Sequence, residues 1–486
     1  MIVTDLQDAA SADVVIIGSG PGGSVIAETL AADGRDVLLL EEGPYLAQDS
    51  VPMFSYQEMT DKYRNAGMTV AFGSPDVAYA EGSCVGGGSE VNSGLYHRTP
   101  GAIYEEWSDL YQLQQFSQQA MEPWFDAVEA VMQPQTYPDQ LPIASEVMRR
   151  GASAFNWNSN DIPRLVRFGD ERDQHGAKIP RRFSMTESFL PKYLAQGGRL
   201  LADTRVDRLA RNADGSWTIR GQHKTSASAL SIQAKHVFVC CGAVHTPALL
   251  RRSGIKRNVG NSLALQPMVK ITAAFDEQVN FDRMGIAGEQ VKEFSPNYSF
   301  GCSISSKAHL AINLLPVEGG PEHALSEYEH LISYYVMARG TPSGSVRNLP
   351  GFKSPLVRYG LSEGELHNLA HGVEDLTTLM IAAGAKRVYT GVREQPVINN
   401  ENECANLPDT LRADSANVMT VHLMGACPLG ENAAVTAANS YGAVHNAPNL
   451  YVSDASSLCN SLAVNPQGSI MALAKRNAAH FLDSHS

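Results

Sequence analysis

The chain has 486 residues, 43% of them hydrophobic and 18% charged, with a formal net charge of −13. That balance excludes a disordered chain, and the acidic excess excludes a nucleic-acid partner, which needs clustered positive potential. The length predicts two or three domains, and no run reaches the ~18 consecutive apolar residues of a membrane span.

The opening stretch, MIVTDLQDAASADVVIIG, carries acids where a secretory leader carries a basic region, which predicts a cytoplasmic protein. Residues 14–17 (VVII) predict a buried strand and Gly18-Ser19-Gly20-Pro21-Gly22-Gly23 a tight turn. An Ala-rich helix is expected over 24–32 and a second strand over 37–40, ending in Glu41. GxGxxG between strand and helix, with an acid after the next strand, is a dinucleotide fingerprint. Gly18 permits the turn, Gly20 lets backbone N–H groups approach a pyrophosphate, and Gly23 lets helix and strand pack closely. The helix N-terminus then presents partial positive charge to the phosphate, and Glu41 is placed for a ribose hydroxyl. Glu41 does not separate FAD from NAD.

Residues 236–255 (HVFVCCGAVHTPALLRRSGI) predict a strand, a corner at Gly242-Ala243, and a helix with Thr246 as N-cap and Pro247 at its first position. KAHLAINLLPV (307–317) and EHLISYYVMARG (329–340) read as strands of an antiparallel sheet, and 363–384 as a long amphipathic helix. NLYVSDA (449–455) is a further strand ending in Asp454, and a last helix begins near Pro466 with Asn465 at its N-cap. The expected fold class is α/β: a Rossmann-like nucleotide domain from residues 1–110, 195–275 and 405–486, with an inserted α+β substrate domain from 111–194 and 276–404. The seven cysteines are scattered without the paired spacing of a zinc site or a disulfide framework, so reduced thiols and no metal are expected.

These motifs resemble those of the glucose–methanol–choline (GMC) flavoprotein oxidoreductases over nearly the full length. GSCVGGGSEVNSGLYHRTP (82–100) looks like the family's flavin-contacting loop and GAVHTPALLRRSGI (242–255) like its second motif. HLMGACPLG, YGAVHNAPNLYVSDAS and AVNPQGSIMALAKR look like its C-terminal block. VGGGSEVN, HLMGAC and AVNP read closest to the long-chain alcohol oxidase and cholesterol oxidase branches.

The resemblance implies FAD and the oxidation of an alcohol to an aldehyde or ketone, with O2, a quinone or another carrier as electron acceptor. It places Gly18, Gly20, Gly23 and Glu41 at the ADP half and the backbone of Val206 at adenine. Gly87, Gly88 and Asn92 would lie against the flavin, with Asp454 and Ala455 near the pyrophosphate and ribityl chain. Relatives that hold FAD covalently carry a histidine immediately before the asparagine matching Asn92; Val91 stands there, which implies non-covalent FAD. Glu90 is expected to be exposed. Gln266 falls where many relatives have a histidine before proline, which loosens the expectation for the substrate entrance.

Taken alone, His422 in VHLMGACPLG reads as a histidine hydrogen-bonded on a Gly-rich turn, and Asn465-Pro466 as an ordinary helix start. The resemblance instead implies a catalytic pair: His422 takes the hydroxyl proton, Asn465 holds the same oxygen, and flavin N5 accepts the hydride. The reduction rate is then expected to rise with pH through the titration of an ordinary histidine. His97, His245 and His445 receive no role and Cys427 is read as structural. The branch resemblance implies a medium or large, partly apolar alcohol. The alternative is a flavin-retaining lyase of hydroxynitrile lyase type, using the same histidine for acid–base chemistry.

Overall fold

The computed structural model describes residues 1–3, 9–47, 49–315, 317 and 319–485. Two of the three acids of the opening stretch, at positions 5 and 8, lie outside the described residues.

Two sheets organise the chain. The first has seven strands, with Arg199–Leu201, Val37–Leu40, Ser11–Ile17, Ala229–Val239, Trp217–His223 and Thr204–Arg211 side by side and Leu450–Val452 pairing with Ala229–Val239. Its central pairings are parallel, Ile17 opposite Leu40 and opposite Val239. Where these parallel strands meet, Ile16 and Ile17, Val37–Leu40, and Val237, Phe238 and Val239 are continuous buried apolar runs, as a sheet covered on both faces requires. Pro21–Ala32 and Gln467–Ser484 pack against each other there.

The second sheet has ten strands centred on Met268–Ala274 and Leu331–Ala338, paired antiparallel. One face of this pair, with Val269, Ile271, Tyr334 and Val336, is apolar core. The helix Glu363–Ala382 covers it, opened by a capping box in which Ser362 and Glu365 satisfy each other's backbone N–H groups. The other face alternates differently, with Lys270 directly opposite Tyr335 and Thr272 opposite Ser333. Strands Thr69–Ala71, Val77–Tyr79, Met268–Ala274 and Met419–Thr420 all belong to this sheet, although their sequence segments were expected to serve the nucleotide domain.

Several local expectations are corrected. KAHLAIN is a helix, Lys307–Asn313, and not a strand. Leu310 and Leu314, one helical turn apart, are both buried, whereas Ile312 is 55% exposed, so the period is helical. Pro316 of that stretch lies outside the described residues. Leu331–Ala338, by contrast, is the expected strand. The middle helix starts at Gly242, four residues before Thr246, because Asp454 reaches in from another strand and accepts from the Gly242 N–H at 2.7 Å. The last helix is Gln467–Ser484 with Pro466 as its N-cap, which leaves Asn465 just outside it.

Glu90 is buried. Its Oε1 accepts from the Thr186 hydroxyl at 2.9 Å and the Thr186 N–H at 3.3 Å, and burial pushes its carboxyl up. Nearby, Arg182 donates to Glu58 at 2.8 Å and to the Glu90 carbonyl, and Lys62 lies 3.9 Å from Glu58. A buried charge cluster therefore supports the loop from beneath. All seven thiols are free, and six are buried.

Candidate active site

A cavity of about 1790 Å³ runs between the two sheets. It is lined by Gly18, Gly20, Glu41, Gly87, Gly88, Asn92, Val206, Asp454, Ala455, His422 and Asn465, so eleven of the twelve expected site residues converge on it. Gly23 does not line it. A Cβ there would sit 1.9 Å from the Gly18 carbonyl oxygen, so Gly23 serves the close helix-to-strand packing expected of it.

The glycines test whether a dinucleotide fits. Gly18 takes φ +102, and a Cβ on it would meet the Cys240 carbonyl oxygen at 2.3 Å. Gly20 has φ −64, which any residue can adopt, and a Cβ on it would meet no protein atom within 4 Å. The same emptiness surrounds Gly88. The fold itself does not require glycine at these two positions, and the open space leaves room for a ligand against the backbone. Gly87 has φ +55, and a Cβ on it would lie 2.9 Å from Cα of Gly20, so the two glycine loops touch. Gly20 is the N-cap of the helix Pro21–Ala32, whose first-turn N–H groups face this space. These residues fit an ADP-containing cofactor.

Both acids expected at the cofactor have structural partners. Glu41 accepts from the Ser19 N–H at 3.0 Å, the Ser19 hydroxyl at 2.7 Å and the Gly43 N–H at 2.9 Å, tying the fingerprint loop to the second strand. Asp454 accepts from Gly242 and Thr246 with one oxygen and from the Ser456 N–H, at 2.7 Å, and hydroxyl with the other. Burial pushes both carboxyls up. Val206 lies on the edge strand Thr204–Arg211, where one side of the backbone lacks a neighbouring strand. Asn92 donates to Gln467 Oε1 at 2.5 Å and accepts from the Gly94 N–H at 2.9 Å, so it joins the glycine loop to the start of the last helix.

Asn465 Nδ2 donates to His422 Nε2 at 3.0 Å, although the two residues are 43 positions apart. On the other side of the ring, Nδ1 lies 2.5 Å from Gln266 Oε1. Gln266 is itself oriented by donating from Nε2 to the Val464 carbonyl at 3.1 Å, so its oxygen must face the imidazole. The proton is thereby held on Nδ1, and Nε2 keeps its lone pair toward Asn465 and the cavity. Burial lowers the His422 pKa to about 4, so the ring is neutral at pH 7. A neutral imidazole whose Nε2 lone pair meets only an amide N–H can take a proton from a hydroxyl that displaces this contact, while the freed N–H donates to the hydroxyl oxygen.

Sequence reasoning missed Gln266 as a partner of His422. Its available signal was a polar residue inside the buried run LALQPM. His97 was also left without a role, yet it lies beside the pair: both ring nitrogens are buried without a well-formed hydrogen bond, and Gln290 and Asn465 are its neighbours. Gln290 donates to the Tyr335 hydroxyl at 2.9 Å and approaches Asn465 Oδ1 at 3.5 Å, which extends the polar chain into the second sheet. Cys427 is buried, and desolvation pushes its thiol up, as a structural cysteine requires.

Comparison with known proteins gives the family. Two sequence profiles described as GMC oxidoreductase match residues 59–268 and 343–474, and an NAD(P)-binding Rossmann-like domain profile matches 16–57. The chain belongs to the GMC oxidoreductase family. It is 35% identical to an uncharacterised GMC-type oxidoreductase, y4nJ of Sinorhizobium fredii, over 98% of this chain and 95% of that one. It is 23% identical to the long-chain-alcohol oxidase FAO4A of Arabidopsis thaliana over 95% of this chain and 67% of that protein. The fold matches the crystal structure of pyridoxine 4-oxidase from Mesorbium loti with TM-score 0.72 at 17% identity, covering 98% of this chain and all 100% of that one. Membership makes this GMC protein an FAD oxidoreductase with a Rossmann-like nucleotide domain. Among the described residues no helix is long and apolar enough to cross a membrane, and no cluster of metal-ligating side chains occurs.

Proposed function

We propose that this GMC protein oxidises an alcohol to an aldehyde or ketone, with His422 as the base and Asn465 as the residue that holds the substrate oxygen. The observation that carries this reading is the 3.0 Å contact between His422 Nε2 and Asn465 Nδ2 at the cavity wall. A hydroxyl entering there meets a proton acceptor and a hydrogen-bond donor together. Gln266 keeps the accepting lone pair on Nε2, and the buried setting keeps competing water away from it. When bound, FAD supplies the acceptor for the hydride that leaves the carbinol carbon. The family and the named alcohol oxidases among its relatives support the reaction class.

FAD would be held by Gly18, Gly20, Glu41, Gly87, Gly88, Asn92, Val206, Asp454 and Ala455. Attachment is non-covalent in this reading, because Val91 offers no nucleophile. The substrate is a medium or large, partly apolar alcohol, and the electron acceptor is O2 or a quinone-type carrier.

The test is anaerobic photometry of the flavin-loaded protein against an alcohol panel, followed by air. Bleaching by an alcohol is expected. A flavin that stays oxidised while a cyanohydrin is cleaved would move the protein to the lyase reading. Recovery of the colour on admitting air identifies oxidase behaviour. Acid precipitation should release all the flavin into solution; flavin retained in the pellet would refute non-covalent binding.

A further inference from the structure

The substrate side of the cavity carries a charge with no partner. Lys270 lines the cavity on the strand Met268–Ala274, directly opposite Tyr335 of the neighbouring strand. Opposite residues of an antiparallel pair project to the same face, and the alternate residues Val269 and Ile271 belong to the apolar core on the other side. Lys270 therefore stands on the face that carries Tyr335, which also lines the cavity and whose hydroxyl accepts from Gln290 at 2.9 Å.

No carboxylate or hydrogen-bond acceptor among the described residues engages the Lys270 ammonium, and burial alone lowers its pKa to about 8. Three carboxylates that line the same cavity have cations of their own: Glu171 has Arg283 at 2.6 Å, Asp282 has Lys307 at 3.1 Å and Asp414 has Arg412 at 3.5 Å. His309 lines the cavity as well, on the helix Lys307–Asn313 that packs against this strand. Its Nδ1 lies 2.7 Å from the Ser306 hydroxyl, and burial together with the charge of Lys270 lowers its pKa to about 4. Of the groups just named, Lys270 is the cation without a counter-charge, and it stands beside an imidazole that stays neutral at pH 7. Lys270 is part-buried, and a partly desolvated ammonium on a cavity wall without a counter-charge is stabilised by a ligand that brings one.

We infer that Lys270 and His309 form the binding site for an anionic group, a carboxylate or a phosphate, carried by the alcohol substrate at a distance from its carbinol carbon. Lys270 stands on the strand Met268–Ala274, whereas Gln266, which holds His422, precedes that strand just beyond the end of Leu263–Leu265. The anion site and the His422–Asn465 pair therefore occupy different parts of the cavity wall, which suits an alcohol whose anionic group is remote from its hydroxyl. The fingerprint loop that fits the cofactor pyrophosphate is on the other sheet, so it does not compete for this ammonium. The inference rests on the alcohol-oxidation reading, which deepens here to a hydroxy acid or a hydroxyalkyl phosphate.

The test compares flavin-loaded wild-type protein with K270M, and with K270Q as a second neutral replacement, under anaerobic conditions. The probes are 8-hydroxyoctanoate, its methyl ester, the phosphate monoester of 1,8-octanediol, and octanoate as a ligand that cannot react. The wild type should favour one of the anionic substrates over the ester by ~10- to 100-fold in kcat/KM, the range of a charge-assisted hydrogen bond. The larger ratio names the anion. Both variants should bring anionic and ester substrates to similar kcat/KM, chiefly through KM, and should weaken octanoate binding as read from the flavin spectrum. Equal anion-to-ester ratios and equal octanoate binding in wild type and variants would overturn the site. Lys270-dependent octanoate binding in a protein whose flavin no alcohol bleaches would leave the anion site standing and sink the oxidation reading.

Discussion

Gln266 and His422 face each other just beyond the last rung of an antiparallel ladder, where Leu265 pairs with Leu423, so backbone register brings an amide oxygen to the imidazole Nδ1. Replacing Gln266 by Leu leaves a buried N–H without an acceptor and releases the tautomer. Flavin reduction by substrate should slow ~10- to 100-fold, about 1–3 kcal/mol, with the FAD content unchanged. Stopped-flow reduction and the flavin-to-protein absorbance ratio measure the two. An undiminished rate would remove Gln266 from the mechanism.

His422→Ala should retain FAD and slow anaerobic reduction by roughly 10²- to 10⁴-fold, the usual share of a general base. Asn465→Ala should cost about 1–3 kcal/mol, since proton transfer remains possible. Both residues act on one oxygen, so the double variant should fall short of the sum. A His422→Ala protein that reduces its flavin at the wild-type rate would return the residue to a structural role on its turn.

The expected pH dependence moves once burial is known. An ordinary histidine would place the rise in rate near neutrality, but desolvation disfavours the imidazolium and lowers the His422 pKa to about 4. Protonation removes the accepting lone pair, so the reduction rate should be flat from pH 8 to 6 and fall as pH drops through about 4. Gln266→Glu, which sets a negative charge against the ring, should raise that break. The same depression affects stability. The unfolded chain takes up protons near the ordinary histidine pKa while the folded chain resists to about 4, so stability is full above the ordinary value and falls across that window on acidification. A rate break near neutrality in the wild type would show that water reaches the ring.

Gly20→Val should purify without FAD yet remain folded. Its φ of −64 imposes no glycine requirement and no protein atom lies within 4 Å of a new Cβ, so the side chain enters only the space the cofactor needs. Circular dichroism should match that of the wild-type apoprotein. Stoichiometric FAD in the variant would show that the fingerprint loop does not hold the pyrophosphate.

Glu58→Ala should destabilise the fold by about 3–5 kcal/mol, the usual cost of removing one partner from a buried ion pair. Glu58 accepts from Arg182 at 2.8 Å and lies 3.9 Å from Lys62, all three of them buried beneath the glycine loop. Denaturant unfolding of the apoprotein measures the loss. A change below about 0.5 kcal/mol, typical of an exposed site, would mean that water reaches the cluster.

The sequence by itself determined the nucleotide-binding half and, through its family resemblance, singled out the pair His422 and Asn465. The fingerprint is local: strand, tight turn and helix follow within about thirty residues from glycines whose spacing the chemistry dictates. The helix expected over 363–384 was equally legible, because an amphipathic period is read along one stretch of chain, and it runs over Glu363–Ala382. Tertiary structure decided whatever depends on residues far apart. Glu90 is buried because Thr186 and the Arg182 cluster approach from another segment, which no neighbour in sequence announces. KAHLAIN became a helix because the sheet beneath it buries Leu310 and Leu314 together, an outcome that seven residues of propensity do not settle. Gln266 meets His422 across 156 residues, and Lys270 faces the cavity only because the strand pairs in that register. A one-residue slip would turn Lys270 into the apolar core. Local motif thus names the cofactor loop and the proposed base, while long-range register sets that histidine's tautomer and acidity and the place of Lys270 on the cavity wall.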